Sequence, residues 1–526
     1  MRHFHSNGHL SLVALALCLV SGAIAETPGK VAINITTTSS APLAPAFSGF
    51  NVPQLRNGVE YYDPKFVTAV TPLKPGWLRF PAGTASMAYD WNPADAAGGH
   101  INIPWMNSLI AGNPPLVTGQ SASILTNSQI LTQAKGGVWL SDFTTFAQTF
   151  GSPAIICLNG YTDTNPDSAG LLAQAAQAAG LNVLEWELAN EPYVYPLIFP
   201  TAASYASAMY NPYYQNLISG SPQAVAGVFF AGLFPGSTLS FSSWDNGMAA
   251  YTPQYWNAVS THVYPIPNIQ SPQNTIETLN GILAYGSSAY ITSYLNPLVG
   301  SNTPIYVTEL NCCAPTNNLF LSYLYNGIFL AEYIARLSSV PNVKGVGINS
   351  LYTDNYDYHG LIQSVNDYES YLKAQVAANP NYSTNTASNP NTQFQFYMSA
   401  PGLAMEVANQ AINDSTQLWP TTVTGGPLVP ILGYNGSPIP ALFAQGYMAT
   451  NGSHHVLITN KSSSTCSATI QLNGVHVTVP MTVTFVSNPT ALVANTAQTP
   501  NNVQIQSSTL SNPISIGPYS VTVVSW

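Results

Sequence analysis

The chain has 526 residues, of which only 6% are Asp, Glu, Lys or Arg, and its formal charge is −10; an ordinary soluble protein has about a quarter of its residues charged. Eleven basic residues are too few to line a phosphate-binding surface, which excludes nucleic acid and argues against a protein that grips long sulfated polysaccharides. The length allows two domains and a large core. What is abundant is aromatic: 30 Tyr, 19 Phe and 9 Trp. Most of these must fill the core, and the remainder suits a surface on which the CH faces of sugars stack.

The first element is an export signal over residues 1–25. Arg2 and His3 lead into LSLVALALCLV, and the small-residue triplet AIA follows at Ala23 to Ala25. That run is too short to span a bilayer, and no later one approaches the required length. The mature chain is expected to start near Glu26 and to be secreted, with no membrane association. Residues 26–45 carry the strand pattern KVAINITTTS, expected to join a β-domain formed by the other end of the chain.

Between 46 and 413, eight short apolar runs alternate with helical stretches. The runs are AFSGFNV (46–52), GWLRFPAG (76–83), SPAIICLNG (152–160), NVLEWELANEP (182–192), AVAGVFFAG (224–232), NAVSTHVYP (257–265), PIYVTELN (304–311) and VKGVGINSLY (343–352). DPKFVTAVT, LSDFTTFAQTFG, AGLLAQAAQAAG and LFLSYLYNGIFLAEYIARLSS read as helices, and FYMSAPGLAMEVANQAI as the last. Eight buried strands alternating with helices imply an α/β fold, a (β/α)₈ TIM barrel. NPNYSTNTASNPNTQ (379–393) is expected as a surface loop. From 414 to 526 helical periodicity ends, and Ser, Thr, Asn, Gly and Pro separate alternating runs, the pattern of a C-terminal β-sandwich.

Four cysteines remain after the signal: Cys157, Cys312, Cys313 and Cys466. None has metal-site spacing. The adjacent pair is open to two readings, a bond from one member to Cys157 or a bond within the pair. Six N-x-S/T triplets, at Asn34, Asn381, Asn413, Asn435, Asn451 and Asn460, suit a glycosylated surface. His454 and His455 alternate along one strand and face opposite ways, which argues against a metal site; no metal or cofactor is implied.

In a barrel of this kind chemistry sits where strands end. Glu191 follows the fourth strand in LANEP, and Glu309 ends the seventh in IYVTELN. A glycosidic bond needs one carboxylic acid to protonate the leaving oxygen and a second carboxylate to attack the anomeric carbon or to activate water. Asn190 fits as a donor to the sugar 2-hydroxyl. Tyr264, in THVYP, and Arg79, in LRFPAG, fit as donors that keep Glu309 ionised, while Glu191 is kept protonated by burial and like charge. His262 faces the cleft or the core. Glu185 and Glu187 alternate with Trp186 and read as buried, hydrogen-bonded structural carboxylates.

WELANEP with VTELN, the strand WLRFPAG, the helix YYDPKFVTAV and the closing ISIGPYSVTVVSW resemble glycoside hydrolase family 79, across essentially the whole mature chain. The resemblance implies a retaining (β/α)₈ glycosidase acting on terminal β-linked glucuronic acid or its 4-O-methyl form, with Glu191 as acid/base and Glu309 as nucleophile. It also implies that tyrosine hydroxyls and backbone N–H groups after the nucleophile hold the uronate carboxylate. Here that loop is NCCAPTNN (311–318), which has no tyrosine. Tyr352, Tyr356 and Tyr358, in LYTDNYDYHG, are the alternative donors. Two other readings stand beside this one: a β-xylosidase or β-glucosidase of the same clan, and a catalytically silent sugar-binding barrel. A carbohydrate is the expected partner in each, with no obligate protein partner. No G-x-S-x-G elbow supports a serine hydrolase.

Overall fold

The computed structural model describes residues 29–52, 61, 63–81, 83–92, 99–102, 104–105, 139–163, 165, 167–232, 241–266, 269, 271–313, 318–353, 358–364, 395–434 and 436–526. The export signal and the 379–393 loop lie outside them. Among the described residues no helix is long and apolar enough to cross a membrane.

All eight apolar runs become strands of one closed parallel barrel. After β1 (Gly29–Ile35) these are β2 (Ser48–Asn51), β3 (Leu78–Phe80), β4 (Ala154–Leu158), β5 (Val183–Leu188), β6 (Ala226–Phe229), β7 (Ala258–Val263), β8 (Ile305–Leu310) and β9 (Val343–Ile348). Each pairs with its sequence neighbour, and β9 closes on β2. The strands are enclosed on both faces, so they read as continuous apolar runs rather than as an alternation.

The surrounding helices include α1 (Pro64–Val70), α2 (Leu140–Phe150), α3 (Ser168–Ala178), α4 (Leu324–Ser338) and α5 (Ala400–Ile412). The Asp63 side chain caps α1 by accepting from the N–H groups of Lys65 and Phe66, with Pro64 in the first turn, where its missing N–H costs nothing. The last helix starts later than the sequence suggests. Phe396–Met398 is instead a short strand paired with Ile362–Ser364, and Ser399 caps the helix that follows.

The barrel interior is layered. At its base Trp77 packs with Ile155, Ala258 and Tyr306. The indole fits because Gly49, Gly345 and Gly347 line it; a Cβ at any of them would lie 2.1–2.6 Å from the ring. One layer up, the inward side chains are polar: Asn51, Arg79, Glu185, Glu187 and Ser260, all essentially without exposure. The fold thus stacks polar groups on an apolar plug and delivers them to the end where strands give way to loops.

The C-terminal strands β10 (Ser415–Trp419), β11 (Thr421–Gly425), β12 (Leu442–Ala449), β13 (His454–Asn460), β14 (Cys466–Leu472), β15 (Met481–Ser487), β16 (Gln506–Leu510) and β17 (Ser520–Ser525) form two sheets. β1 lies inside the first, antiparallel to β11 and parallel to β14. Val31, Ile33 and Ile35 face the core between the sheets with Ile458, Ala468, Ile470 and Val483. The other face of the second sheet contributes Tyr447, Leu457, Val521 and Val523 to the barrel's own core, so the two domains join through apolar packing while the sandwich keeps a separate core. Asn460 is fully buried and its amide donates to the Ser464 and Gly517 carbonyls, while the Asn413 amide donates to those of Ser48 and Lys74. Asn460 therefore cannot carry a glycan in the folded chain, which corrects its reading as a surface site; Asn413 is only partly buried.

Candidate active site

Glu309 owes its direction to an irregularity in β8. Strict alternation from Tyr306, which faces the barrel interior, would also turn Thr308 inward and send Glu309 outward. Instead, Thr261 and His262 of β7 face Val307 and Glu309, so one extra residue is inserted in β8, and the same shift recurs against β9. This bulge re-aims Glu309 into the barrel mouth. Glu191 is turned by the backbone as well. Ala189 and Glu191 have φ of 71° and 48°, the left-handed region that non-glycine residues seldom adopt, and Pro192 bars Glu191 from the right-handed helical region. Such strain is retained where the surroundings enforce it, commonly at functional sites.

The two carboxylates meet at one point. Oxygens of Glu191 and Glu309 and a ring nitrogen of His262 all lie within 4.8 Å of one another. His262 Nδ1 is 2.7 Å from Glu191 Oε1 and 3.7 Å from Glu309 Oε2, so a single proton bridges the imidazole and Glu191. The Tyr193 hydroxyl donates to the same Glu191 oxygen at 3.2 Å.

Around Glu309 the donors are dense. Arg79 Nη1 donates to Oε1 at 2.6 Å, the Tyr264 hydroxyl to Oε2 at 2.5 Å, and Asn349 Nδ2 to Oε2 at 3.4 Å. Burial by itself would push the Glu309 carboxyl up. The charges of His262 and Arg79 and the hydrogen bonds from Tyr264 and Arg79 outweigh it and hold the group below the ordinary carboxylate range. The imidazole contributes only when protonated, whereas Arg79 contributes at every working pH.

Arg79 itself is completely buried. Its Nε donates to Glu187 at 2.6 Å, and its two Nη groups reach Asn51 at 2.9 Å and Asn190 at 2.8 Å as well as Glu309. It therefore holds the site together as the expected donor to Glu309, and, being fully buried, has no surface with which to touch a sugar. The bond to Asn190 Oδ1 fixes that amide so that its N–H₂ end is the one offered to a ligand. Gly83 completes the wall: a Cβ there would come within 2.8 Å of Glu309 Oε1.

Other expectations are redirected. The Tyr352 ring is fully buried at the edges of Phe66 and Phe396, each 5.7 Å away, so it packs the core beneath α1 and does not line the cleft. Tyr356 lies outside the described residues, and Tyr358 is half-buried against the core. The four cysteines are all buried and unbonded, and Cys157 Sγ donates to Ser86 Oγ. Asn51 and Asn349 were missed as site residues. Both are asparagines at the ends of otherwise apolar runs, GFN and GIN, and that was the available signal.

Glu191, His262 and Glu309 are the one set among the described residues spaced to hold a metal ion. The surroundings do not fit one. A ligating histidine ordinarily donates its second ring N–H to a partner; here Nε2 has none among the described residues, and the ring meets Phe229 edge-on at 5.0 Å. Arg79 already supplies the cation beside Glu309.

No family model and no curated protein matches the chain. Solved structures do match it along nearly its whole length. The GH51 α-L-arabinofuranosidase from Thermotoga petrophila is 16% identical, with a TM-score of 0.65, covering 94% of this chain and 100% of its own. The GH51 arabinofuranosidase from Xanthomonas axonopodis is 14% identical with a TM-score of 0.61, covering 94% and 99%. A glucosidase from Croceicoccus marinus is 10% identical with a TM-score of 0.53, covering 95% and 99%. What the chain shares with them is the fold, a (β/α)₈ barrel with a β-sandwich.

Proposed function

We propose that the protein is a retaining glycoside hydrolase. The observation that carries this is the approach of Glu191 and Glu309 within 4.8 Å with different partners, Arg79, Tyr264 and Asn349 on Glu309 and His262 and Tyr193 on Glu191. Retaining enzymes hold their carboxyl groups about 5–5.5 Å apart, whereas inverting enzymes leave room for a water at about 6.5–9.5 Å. Glu309, ionised among Arg79, Tyr264 and Asn349, attacks the anomeric carbon. Glu191 gives its proton to the leaving oxygen and takes one from water in the second step. His262 holds the carboxyl in place through both steps.

For the sugar, we propose terminal β-linked glucuronic acid, cleaved by exo-action in an exported enzyme. The sequence resemblance supports this, as does the scarcity of surface cations: Arg79 and Lys461 are both buried, which leaves little for an extended sulfate-binding groove. Neutral donors discriminate less sharply than a bidentate arginine. The expected preference over the glucoside is about 10²-fold in kcat/KM, or ~2.7 kcal/mol. The full-length fold matches favour a second reading, an α-L-arabinofuranosidase. A panel of p-nitrophenyl β-glucuronide, β-glucoside, β-xyloside, β-galactoside and α-L-arabinofuranoside separates them, with heparin and hyaluronan as polymer controls. Faster cleavage of any other glycoside than the glucuronide sinks the glucuronidase reading. No turnover of any glycoside, or inversion at the anomeric centre by NMR, sinks the wider one.

A further inference from the structure

The adjacent cysteines at the end of β8 have no part in the reaction just described, yet they sit three and four residues beyond Glu309. Both are completely buried and in the thiol form, side by side in the chain. Each carbonyl anchors a neighbouring loop. That of Cys312 accepts from the Ile266 N–H at 3.0 Å, two residues past Tyr264; that of Cys313 accepts from His359 Nε2 at 3.0 Å. The His359 ring in turn lies 6.3 Å from that of Tyr264, whose hydroxyl holds Glu309.

We infer that Cys312 and Cys313 form a redox-active vicinal dithiol, which closes to a disulfide and thereby changes the setting of Tyr264 and Glu309. The Cα atoms of adjacent residues are ~3.8 Å apart across a trans peptide, below the usual disulfide span of about 4.4–6.8 Å. Closure must therefore twist the peptide that joins them. That peptide carries the carbonyl bound to Ile266, so the twist acts on the loop that bears Tyr264. A strained bridge of this kind is readily reduced, which makes the step reversible.

The chemistry is thiol–disulfide exchange with a small-molecule disulfide such as oxidised glutathione. One cysteine thiolate attacks the reagent and expels a thiolate. The second cysteine attacks the resulting mixed disulfide and expels another. Two protein thiols and one external disulfide become one internal disulfide and two external thiols, with two electrons passing to the reagent. Burial pushes the Cys312 thiol up, as does the neighbouring Cys313 thiol, so exchange in the folded protein is slow and depends on local opening.

The consequence for turnover rests on the glycosidase reading; the covalent step does not. The full chain, equilibrated across a range of glutathione redox ratios, is denatured, alkylated and mapped by mass, and kcat/KM is measured on the best glycoside of the panel. On oxidation the peptide carrying both cysteines should become about 2 Da lighter and resist alkylation. Over the same range kcat/KM should fall about tenfold and recover with dithiothreitol. Cys312→Ser and Cys313→Ser should each keep the reduced-state activity and lose the response; if neither folds, the wild-type measurements decide alone. The inference is overturned if both thiols stay alkylatable at every ratio, if the bond forms to Cys157 or Cys466 instead, or if closure leaves kcat/KM unchanged. Should no glycoside be cleaved in either state, the glycosidase reading fails. The mass shift and a reversible change in Tm on oxidation then decide the inference: their presence supports it and their absence overturns it.

Discussion

Two buried charge clusters use the same components to different ends. At the barrel mouth Arg79 binds Glu187 and Glu309. Where α4 meets the sandwich, Glu332 accepts from Lys461 at 2.6 Å, Arg336 at 2.7 Å and Thr459 at 2.6 Å. In each case burial would push the carboxyl up and nearby cations outweigh it, leaving Glu309 and Glu332 both below the ordinary range. The clusters diverge in what else is present. Glu332 has no exposed surface and its charge is matched by two cations. Glu309 keeps a little exposure, and a second carboxylate, Glu191, stands beside it with an imidazole, His262, in place of a permanent cation. A saturated cluster fastens two domains; one left with an extra carboxylate, open to solvent, can act on a substrate.

The largest expected effect separates the clusters by function. Glu309→Gln should lower kcat by ~10⁴-fold or more with little change in Tm, because the nucleophile goes while its volume and the Arg79–Glu187 pair remain. If kcat fell by less than tenfold, Glu309 would not be the nucleophile. Glu191→Ala should cost about 10²–10⁴-fold on substrates with poor leaving groups and far less on activated aryl glycosides, which need no protonation. Azide should restore part of the loss. Equal loss on both substrate types would remove the acid/base assignment.

The same substitution in the other cluster should act on stability instead. Glu332→Gln leaves Lys461 buried beside Arg336 with no carboxylate, which should cost ~3–5 kcal/mol without altering kcat of the folded fraction. Adding Lys461→Met should recover most of that loss, and a double variant no better than the single one would refute the pairing. The sign with pH follows from the depressed Glu332 pKa. Its contribution is present above the unfolded value of about 4.3 and is lost as pH falls through the lower folded value. Wild type and Glu332→Gln should therefore converge in Tm under acid conditions.

How much of this was legible in the sequence depends on which force set each feature. The eight barrel strands were readable because burial on both faces writes a continuous apolar run. Glu191 and Glu309 were readable as charges in a chain that otherwise avoids them. The direction of Glu309 was not, since the inserted residue in β8 is a matter of register that no local pattern announces. Tyr352 was misplaced for a related reason. It follows a barrel strand, where residues usually face the cleft, but the short pairing of Tyr352–Thr353 with Ile362–Gln363 turns its ring into the core. The contacts of Glu332 with Lys461 join residues 129 apart, a separation that sequence periodicity does not reach.

The smallest predicted effect lies within the glutamate-rich strand itself. Glu185 and Glu187 both point into the barrel, two residues apart, but only Glu187 has a cation. Burial pushes the Glu185 carboxyl well up and the Glu187 charge adds to this, against smaller opposing effects from the Ser260 hydroxyl, at 2.8 Å, and Arg79. Burial thus favours the protonated form of Glu185, and Gln reproduces the shape and charge of that form. Glu185→Gln should change stability by less than ~1 kcal/mol near pH 5 and leave kcat untouched. As pH rises, the wild type must take up a proton to fold, because the unfolded side chain ionises while the folded one does not, so its stability falls relative to the variant. Glu187→Gln should behave otherwise, losing both stability and turnover because the wholly buried Arg79 would lose the charge of its wholly buried carboxylate partner, although the Gln oxygen can still accept from Nε. Denaturant melts of the two variants at pH 5 and pH 8 test the distinction. If Glu185→Gln proved the more damaging at both, the distinction between Glu187, paired with Arg79, and Glu185, held by Ser260, would be reversed.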